Sequence, residues 1–329
     1  MPVHKGGRRY LLAGAFKIMA ISTMAYATVT PPIQPPAVNG PNTTGPVKLT
    51  DPSADRSSSC SETCLRAVAD SYFKALEKRD YSKLTVAPNL IVTENGQASR
   101  IGDGLWRVLE KFNQPATYFF DPVAGQVIAL TTIEESAHQP FILMVRLKVE
   151  ERRIAEVETM LTSDIDAGQH FQPDNVARLD PVLTQTLPQQ EQPSREELIG
   201  YSDAWWYDAG RGMTAGADCV HWENAEPLPM FKCPLGSRRS PTALSYANRA
   251  LRNVVIDPRS GLIITYLLSD TTPYLNPNPP DFERTPLFYR QPLTTYKVQI
   301  LKIAKGGVVH AHHVFMNYQA AGLRAIFEK

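Results

Sequence analysis

Two stretches of the chain place apolar residues at the spacing of an amphipathic helix. The first runs from Leu65 to Leu76 and the second from Leu198 to Ala209. In each stretch the apolar positions fall on one side of a helix and form a stripe that can face a core. Ser194, followed three residues later by Glu197, is a capping box at the start of the second stretch. The pattern therefore predicts one amphipathic helix in each half of the chain.

Apolar runs of strand length follow both predicted helices. A Glu-Asn pair and an Asp-Pro turn precede these runs, in the same order in both halves, and the last run contains a Gly-Gly turn. Ordered internal matches of this kind indicate two copies of one fold. The runs are Gln126–Ile133, Phe141–Val149 and Ile154–Leu161 in the first half, and Leu262–Leu268 and Lys302–Met316 in the second.

One predicted strand differs in chemistry between the two halves. Aligning the repeated segments places Glu156 on His310 and Glu158 on His312. Because side chains alternate along a strand, His310 and His312 are expected to share one face and His313 to occupy the other. The divergence at equivalent positions indicates a specialised site in the second copy.

The composition is that of an ordinary soluble protein. The chain has 329 residues, a formal net charge of +1 and 43% hydrophobic residues. This length is sufficient for two domains with sizeable cores. The nearly balanced charge gives no electrostatic basis for binding nucleic acid.

The N-terminus has the organisation of a secretory signal peptide. A basic stretch, Lys5–Arg9, precedes an apolar one, Tyr10–Met24, and residues 25–27 form a small-x-small cleavage site. Residues 28–60 have the composition of a disordered segment and contain an N-glycosylation acceptor at Asn42. These features predict the secretory pathway or an extracellular location, with no membrane span after signal removal. The alternative is a disordered N-terminal tail.

Four cysteines give an even count, which fits an oxidising compartment. Of the three possible connectivities, we favour Cys60–Cys64 and Cys219–Cys233, because each pair is local and lies within one repeat. The alternative is four buried free thiols. The spacing does not match a zinc ribbon or finger.

The predicted organisation has five segments. A proline-rich stretch from Thr271 to Pro292 interrupts the second repeat, and it is interpreted either as a binding loop or as an ordered surface excursion. The segments are a signal peptide (1–27), a disordered region (28–60), repeat one (61–165), a linker (166–193) and repeat two (194–329).

The helix and strand pattern resembles the SnoaL-like superfamily, which includes nuclear transport factor two and ketosteroid isomerase. The signature TENG…GLW…DP…VRLKVEERRIAEVET is similar to fungal secreted-type proteins of secondary metabolism with two such domains. The resemblance covers about residues 60–325. It implies an α+β fold of two tandem cone-shaped domains, each a curved antiparallel sheet wrapped on helices, packed as an intrachain pseudo-dimer. It implies a pocket and not a particular reaction. The segments that carry it are Leu65–Leu76, Phe141–Leu161, Leu198–Ala209 and Thr294–Met316.

The candidate catalytic residues cluster in repeat two. Histidine titrates near neutral pH, so His310 or His312 could accept or donate a proton, with His221, Tyr266 and Asp203 nearby. A solvated strand face is the alternative interpretation. A metal site would require a third ligand such as His221, Asp218 or Glu223, and no firm motif supplies one, so no metal is predicted. Glu156 and Glu158 are interpreted as solvated, and Asp103, Arg107 and Arg146 as members of structural ion pairs.

Aromatic residues of repeat two are the candidate substrate-binding residues. Their flat apolar faces suit an apolar or polycyclic ligand. The sequence contains no phosphate-binding loop, nucleophile elbow or dinucleotide fingerprint, so no cofactor is predicted. The candidates are Trp206, Tyr207, Trp222, Tyr289 and Phe315.

Three functional hypotheses follow. The first is a cofactor-independent dehydratase, cyclase or isomerase of fungal natural-product biosynthesis, with an apolar terpenoid or aromatic polyketide as substrate. Dehydration to a reactive diene, followed by a hetero-Diels–Alder cyclisation, is one route that the resemblance implies. The second is a secreted small-molecule-binding protein without catalysis, and the third a structural module whose pockets are filled. The resemblance also implies that a homodimer can form.

Overall fold

Two mixed β-sheets of seven strands each organise the part of the chain that the structure describes. The computed structural model describes residues 60–168, 170–208, 210–233, 246–271, 292–324 and 326, all within one unit that spans residues 46–329. Several predicted features lie outside the described residues. They are the signal peptide, the segment after it up to residue 59, Asn42, Tyr289 and nearly all of the loop Thr271–Pro292.

The first sheet has the strand order β2-β1-β7-β6-β5-β3, and β4 pairs with β5 next to β3. Strand β1 runs parallel to β7, and the other neighbours are antiparallel. The strands are β1 Val86–Glu94, β2 Gln97–Ala98, β3 Leu109–Phe112, β4 Thr117–Asp121, β5 Gln126–Glu135, β6 Pro140–Glu150 and β7 Arg153–Thr162.

The second sheet has the corresponding order β10-β9-β14-β13-β12-β11, with β8 paired to β14. Here β9 and β8 both run parallel to β14. A single long strand, β11, occupies the place that β3 and β4 share in the first sheet. The strands are β8 Thr214–Ala215, β9 Val220–Glu223, β10 Glu226–Lys232, β11 Tyr246–Asp257, β12 Leu262–Thr271, β13 Leu293–Ala304 and β14 Val308–Ala320.

Two α-helices of 16 and 13 residues cover the outer faces of the sheets. Helix α1, Glu62–Glu77, is capped by Ser61 and packs against the first sheet. Helix α3, Arg195–Tyr207, begins with the predicted capping box of Ser194 and Glu197 and packs against the second sheet. A four-residue helix, α2, Leu105–Val108, leads directly into β3.

A third apolar cluster lies between the two sheets. The first sheet contributes Ile128, Leu130 and Met144, and the second contributes residues such as Val298 and Phe315, all nearly or fully buried. Alternate residues of the same strands, such as Val127 and Val145, face α1 instead. Each sheet therefore buries both of its faces, one under a helix and one under the other sheet.

The predicted fold class, α+β with two SnoaL-like cone-shaped domains, is wrong. The described residues are dominated by strands, both sheets are mixed, and the α-helices have only 16, 4 and 13 residues. The physical reason is visible in β5, where consecutive residues are buried because both faces of the strand are covered. Apolar runs of this kind indicate two covered faces but do not show whether a helix or a sheet covers them.

The predicted linker, residues 166–193, carries short structure of its own. It contains 3₁₀ helices at Pro173–Arg178, Pro181–Thr184 and Gln189–Glu191. Val176 and Leu183 from these helices are buried in the cluster between the sheets. The segment is therefore part of the core and more than a spacer.

Both predicted disulfides are present. Cys60–Cys64 lies at the start of α1, and Cys219–Cys233 joins the residue before β9 to the residue after β10. These bonds are compatible with an oxidising secretory environment. None of the helices in the described residues has the length and apolar character that crossing a membrane requires.

A buried ion cluster connects the two sheets. Glu158 of β7 accepts hydrogen bonds from Arg146 Nε at 2.7 Å, from Arg252 at 2.6 Å and from the Tyr296 hydroxyl at 2.5 Å. Arg146 belongs to the first sheet, whereas Arg252 and Tyr296 belong to the second. Arg146 also donates to Glu156 at 2.6 Å. The predicted role of Arg146 in a structural ion pair is thus confirmed, and the exposed pair of Asp103 and Arg107, at 2.6 Å, is present as well.

The turn between β13 and β14 depends on Gly307. Gly306 and Gly307 both have positive φ angles, 84° and 80°. A Cβ atom on Gly307 would lie 2.6 Å from the backbone oxygen of Gly212, whereas a Cβ on Gly306 would meet nothing within 4 Å. Gly307 is therefore required by close packing as well as by backbone conformation.

Candidate functional site

Strands β9 and β14 bring two of the predicted histidines into contact. Their parallel pairing places His221 directly beside His312 and Glu223 beside Val314. The Nδ1 atoms of His221 and His312 are 2.9 Å apart, and the ring centroids are 4.6 Å apart. These residues are separated by 91 positions in the chain, so only the sheet brings them together.

Glu223 extends this contact on the same strand. Its Oε1 atom lies 3.0 Å from Nε2 of His221, because residues two apart on a strand share one face. Burial alone would raise the pKa of Glu223, but the hydrogen bond and charge of His221 outweigh burial and hold that pKa below its ordinary value. Glu223 is therefore a carboxylate at neutral pH.

The hydrogen bonds assign a tautomer to each ring. The carboxylate of Glu223 can only accept, so in its neutral form His221 carries its proton on Nε2 and presents a lone pair at Nδ1. His312 then donates its Nδ1–H to His221 and keeps a lone pair at Nε2. Within the described residues, that Nε2 atom is buried and has no hydrogen-bond partner. We refer to Glu223, His221 and His312 as the histidine relay.

The surroundings of His312 are apolar and aromatic. The ring of Trp205, from α3, lies against it with centroids 4.5 Å apart. Burial, together with the neighbouring His221 and His313, lowers the pKa of His312 well below its ordinary value. The ring is therefore neutral at pH 7, which leaves the Nε2 lone pair free to accept a proton.

Polar residues of β13 lie on the same face of the second sheet, under α3. Gln299 is fully buried, and among the described residues neither atom of its amide group has a hydrogen-bond partner. Burial lowers the pKa of Lys297 to about 8, and the charge of Glu223 opposes this change. Buried polar atoms without partners are rare in native proteins, so this face has the properties expected of a site that receives a polar ligand.

Tyr266 and His310 do not join the relay. Tyr266 faces the first sheet, where its ring stacks on Tyr296 with centroids 5.9 Å apart, and burial raises the pKa of its hydroxyl. His310 occupies a β-bulge, because Lys302 pairs with Ala311 and the next residue pairs with Val309. The strict alternation on which the prediction of a shared face for His310 and His312 rests is therefore interrupted.

A turn that is one residue longer in the second sheet corrects the alignment of the two halves, since both sheets carry the bulge. Lys148 pairs with Glu156 in the first sheet and Lys302 with Ala311 in the second. Glu156 therefore corresponds to Ala311, and Glu158 corresponds to His313. The predicted alignment, which placed these glutamates on His310 and His312, is wrong by one residue.

The other candidates have separate positions. Asp203 and Trp206 are partly buried on α3, and Tyr207 at its C-terminus is 52% exposed. Trp222 stacks on His313 with centroids 5.1 Å apart. Phe315 is fully buried between the sheets, so it cannot contact a ligand under α3.

The sequence-based prediction missed three residues at the site, Trp205, Gln299 and Lys297. Trp205 is also a core residue of the cluster under α3. The antiparallel pairing of β13 with β14 brings Gln299 and Lys297 next to the relay. The alternation His221-x-Glu223 was the one local signal of the His–Glu contact.

Two other features of the described residues could form a site. A groove of about 580 Å³ is lined by residues 97–98, 319–324 and 326, and among these described residues Arg324 is the one with an ionisable side chain. Among the described residues, Glu110, Glu134 and His138 have ligand atoms within 4.8 Å of one another, but the group is largely exposed. Neither feature contains a buried, unpartnered catalytic atom, so the histidine relay is the better candidate.

The comparisons with known proteins cover other parts of the chain or carry no function. A family model described as a domain of unknown function (DUF8021) matches residues 58–161, which end before the relay. No curated protein matches the chain. A crystal structure of a de novo designed protein with a curved β-sheet has 11% identity and a TM-score of 0.27, and the match covers 31% of this chain and 88% of the designed one. None of these similarities supports the resemblance to SnoaL-like proteins.

Proposed function

We propose that this protein is a cofactor-independent acid–base enzyme, a dehydratase or isomerase that acts on a small apolar molecule. The observation that carries the proposal is the histidine relay, which ends at the unpartnered Nε2 atom of His312 beneath Trp205. A buried base in an apolar, aromatic environment suits proton abstraction from carbon, because water does not compete for the base.

One base is sufficient for both reactions. His312 Nε2 takes a proton from a substrate carbon, and the imidazolium charge spreads towards the carboxylate of Glu223 through His221. In an isomerisation the same nitrogen returns the proton to another carbon. In a dehydration on one face of the substrate, it gives the proton to the leaving hydroxyl, a carbon–carbon double bond forms and water leaves.

Gln299 is proposed to hold the substrate oxygen. Its buried amide offers both a donor and an acceptor on the strand next to His312. A carbonyl or hydroxyl group would satisfy the amide, and leaving it unsatisfied costs about 1–3 kcal/mol. Terpenoids and aromatic polyketides, the substrates that the sequence resemblance implied, carry such oxygens on apolar skeletons. We place this activity in the secretory pathway or outside the cell, and the two disulfides support that location.

A binding protein without catalysis is the second candidate. The same unpartnered amide of Gln299 favours it, since recognition of a ligand oxygen needs no proton transfer. The two functions differ in their dependence on His312, which a catalyst requires and a binding protein does not.

The experiment measures deuterium incorporation and water loss for a panel of terpenoid and polyketide hydroxyketones in D₂O by mass spectrometry. We expect turnover by the wild type and a loss of about 10²–10⁴-fold in His312→Gln. His138→Gln, which changes an exposed histidine, is the control. Equal turnover in His312→Gln and the wild type would contradict the proposal, and binding without turnover of any compound would favour the binding protein.

A further inference from the structure

The histidine relay continues outwards through two residues that the proposed mechanism does not use. His170, from the segment between the sheets, places Nε2 3.9 Å from Glu223 Oε2 and Nδ1 3.2 Å from Glu226 Oε2. Glu226 lies on β10, next to β9. Five ionisable groups therefore follow one another: His312, His221, Glu223, His170 and Glu226.

Exposure increases along this series. His312 and His221 are 4% and 7% exposed. The side chains of Glu223, His170 and Glu226 are 26%, 28% and 32% exposed. The inner end is thus closed to water and the outer end is open to it. The proposed reactions return the proton to the substrate or to the leaving hydroxyl, but a proton held on a buried base can exchange with solvent only through groups that reach water, and a connected series of ionisable groups provides such a route.

The structure holds His170 in place at this position. The side chain of the fully buried Asn224 donates to the backbone oxygens of Ala167 and His170, at 2.9 and 3.1 Å. Gln172 donates its backbone N–H to the Asn224 oxygen at 3.1 Å. Asn224 follows Glu223 directly. The turn between β9 and β10 therefore positions both Glu223 of the relay and His170 outside it.

We propose that His170 and Glu226 form a proton path between solvent and the histidine relay. A proton on His312 Nε2 is matched by transfer of its Nδ1 proton to His221 and of the His221 Nε2 proton to Glu223 Oε1. Rotation of the Glu223 carboxyl group then brings that proton to the side of His170 Nε2, which accepts it. Among the described residues His170 Nδ1 is buried and makes no hydrogen bond, although it lies 3.2 Å from Glu226 Oε2, so a small ring movement lets it release its proton to Glu226. The net result is one proton moved outwards. The 3.9 Å step exceeds a direct hydrogen bond, so one bridging water or a small ring movement completes it. The charged groups that face His170 are Glu223 and Glu226, and Lys297 acts on Glu223.

The biological purpose of the path rests on the proposed function, but its existence can be tested without a substrate. In protein labelled with ¹⁵N-histidine, NMR measures how fast the ring N–H protons of His221 and His312 exchange with water. We expect exchange to slow by roughly tenfold or more in His170→Gln, and added imidazole to restore it. His138→Gln should exchange at the wild-type rate. His170→Asn provides a second test with a shorter side chain.

Two readouts separate the path from a structural role of His170. The ¹⁵N shifts of His221 and His312 report their tautomers, and these should not change in the variants. A tautomer change, wild-type exchange rates in both variants, or slow exchange that imidazole does not restore would each overturn the proposal. Slow, imidazole-rescued exchange in a protein that turns over no compound would leave the path standing and refute the enzyme. Turnover of a compound together with unchanged exchange rates in the variants would support the enzyme and refute the proton path.

Discussion

Replacing Glu158 by glutamine tests whether the ion cluster between the sheets stabilises the fold. The substitution keeps the shape of the side chain and removes the charge that lies between Arg146 and Arg252. Burial by itself raises the pKa of Glu158, but the charges of Arg252 and Arg146 and the hydrogen bond from Tyr296 outweigh burial and lower that pKa from 4.5 to about 2.

The size of this effect follows from the pKa change. Each unit corresponds to about 1.4 kcal/mol, so a fall from 4.5 to about 2 corresponds to about 3 kcal/mol of unfolding free energy. Removing one partner of a buried ion pair costs about 3–5 kcal/mol, which agrees with this figure. A carboxyl group whose pKa is lowered by folding contributes stability above its ordinary pKa. The contribution of Glu158 is therefore complete above pH 4.5 and is lost as the pH falls towards 2.

Urea unfolding, followed by tryptophan fluorescence from pH 7 to pH 2.5, measures both quantities. At pH 7 we expect Glu158→Gln to be less stable than the wild type by about 3 kcal/mol. Because glutamine does not titrate, the difference should shrink as the pH falls below 4.5. Glu77→Gln, at the exposed end of α1, should match the wild type throughout. Unfolding free energies of wild type and Glu158→Gln that run parallel over the whole pH range would refute this reasoning.

Three further predictions concern the second sheet. Replacing Cys219 and Cys233 by serine should lower the unfolding free energy by about 3 kcal/mol, measured in urea, because the disulfide closes a loop with a sequence separation of 14. Burial lowers the pKa of His313 from 6.5 to about 3, so the wild type loses stability as the pH falls below 6.5, where only the unfolded state takes up the proton. His313→Phe should remove roughly 2 kcal/mol of that loss between pH 6.5 and pH 5, and equal slopes in urea titrations would contradict this. Gly307→Ala should cost about 1–3 kcal/mol more than Gly306→Ala in thermal unfolding, since only the former meets a backbone oxygen.

Features that depend on neighbouring residues were predictable from the sequence. The capping box joins Ser194 to Glu197, three residues later. The first disulfide joins Cys60 to Cys64, with a sequence separation of 4. Their geometry follows from local spacing and does not depend on the rest of the fold. The amphipathic helix Leu65–Leu76 was predictable for the same reason.

The fold class and the contact between His221 and His312 depend on packing between distant parts of the chain. The sequence indicated that β5 is buried, but which layer covers each face is decided by parts of the chain far from it. His221 and His312 were both candidates, yet their contact requires parallel pairing across 91 residues. Tyr266 was grouped with them because it is aromatic and in the same repeat, and the face to which a strand residue points depends on register that the sequence does not state.

The bulge at His310 has a consequence for how β14 can vary. Val309 and His312 both face α3 although three positions separate them, because the bulge adds one residue to the alternation. Without the extra residue at His310, the side chains on one side of the bulge would keep their faces. Those on the other side would each point to the opposite face of the sheet. Either the base under α3 or the apolar contacts between the sheets would then be turned to the wrong side. The strand can therefore accept changes of side chain far more readily than changes of length, and an insertion or deletion here alters the site and the core in a single step.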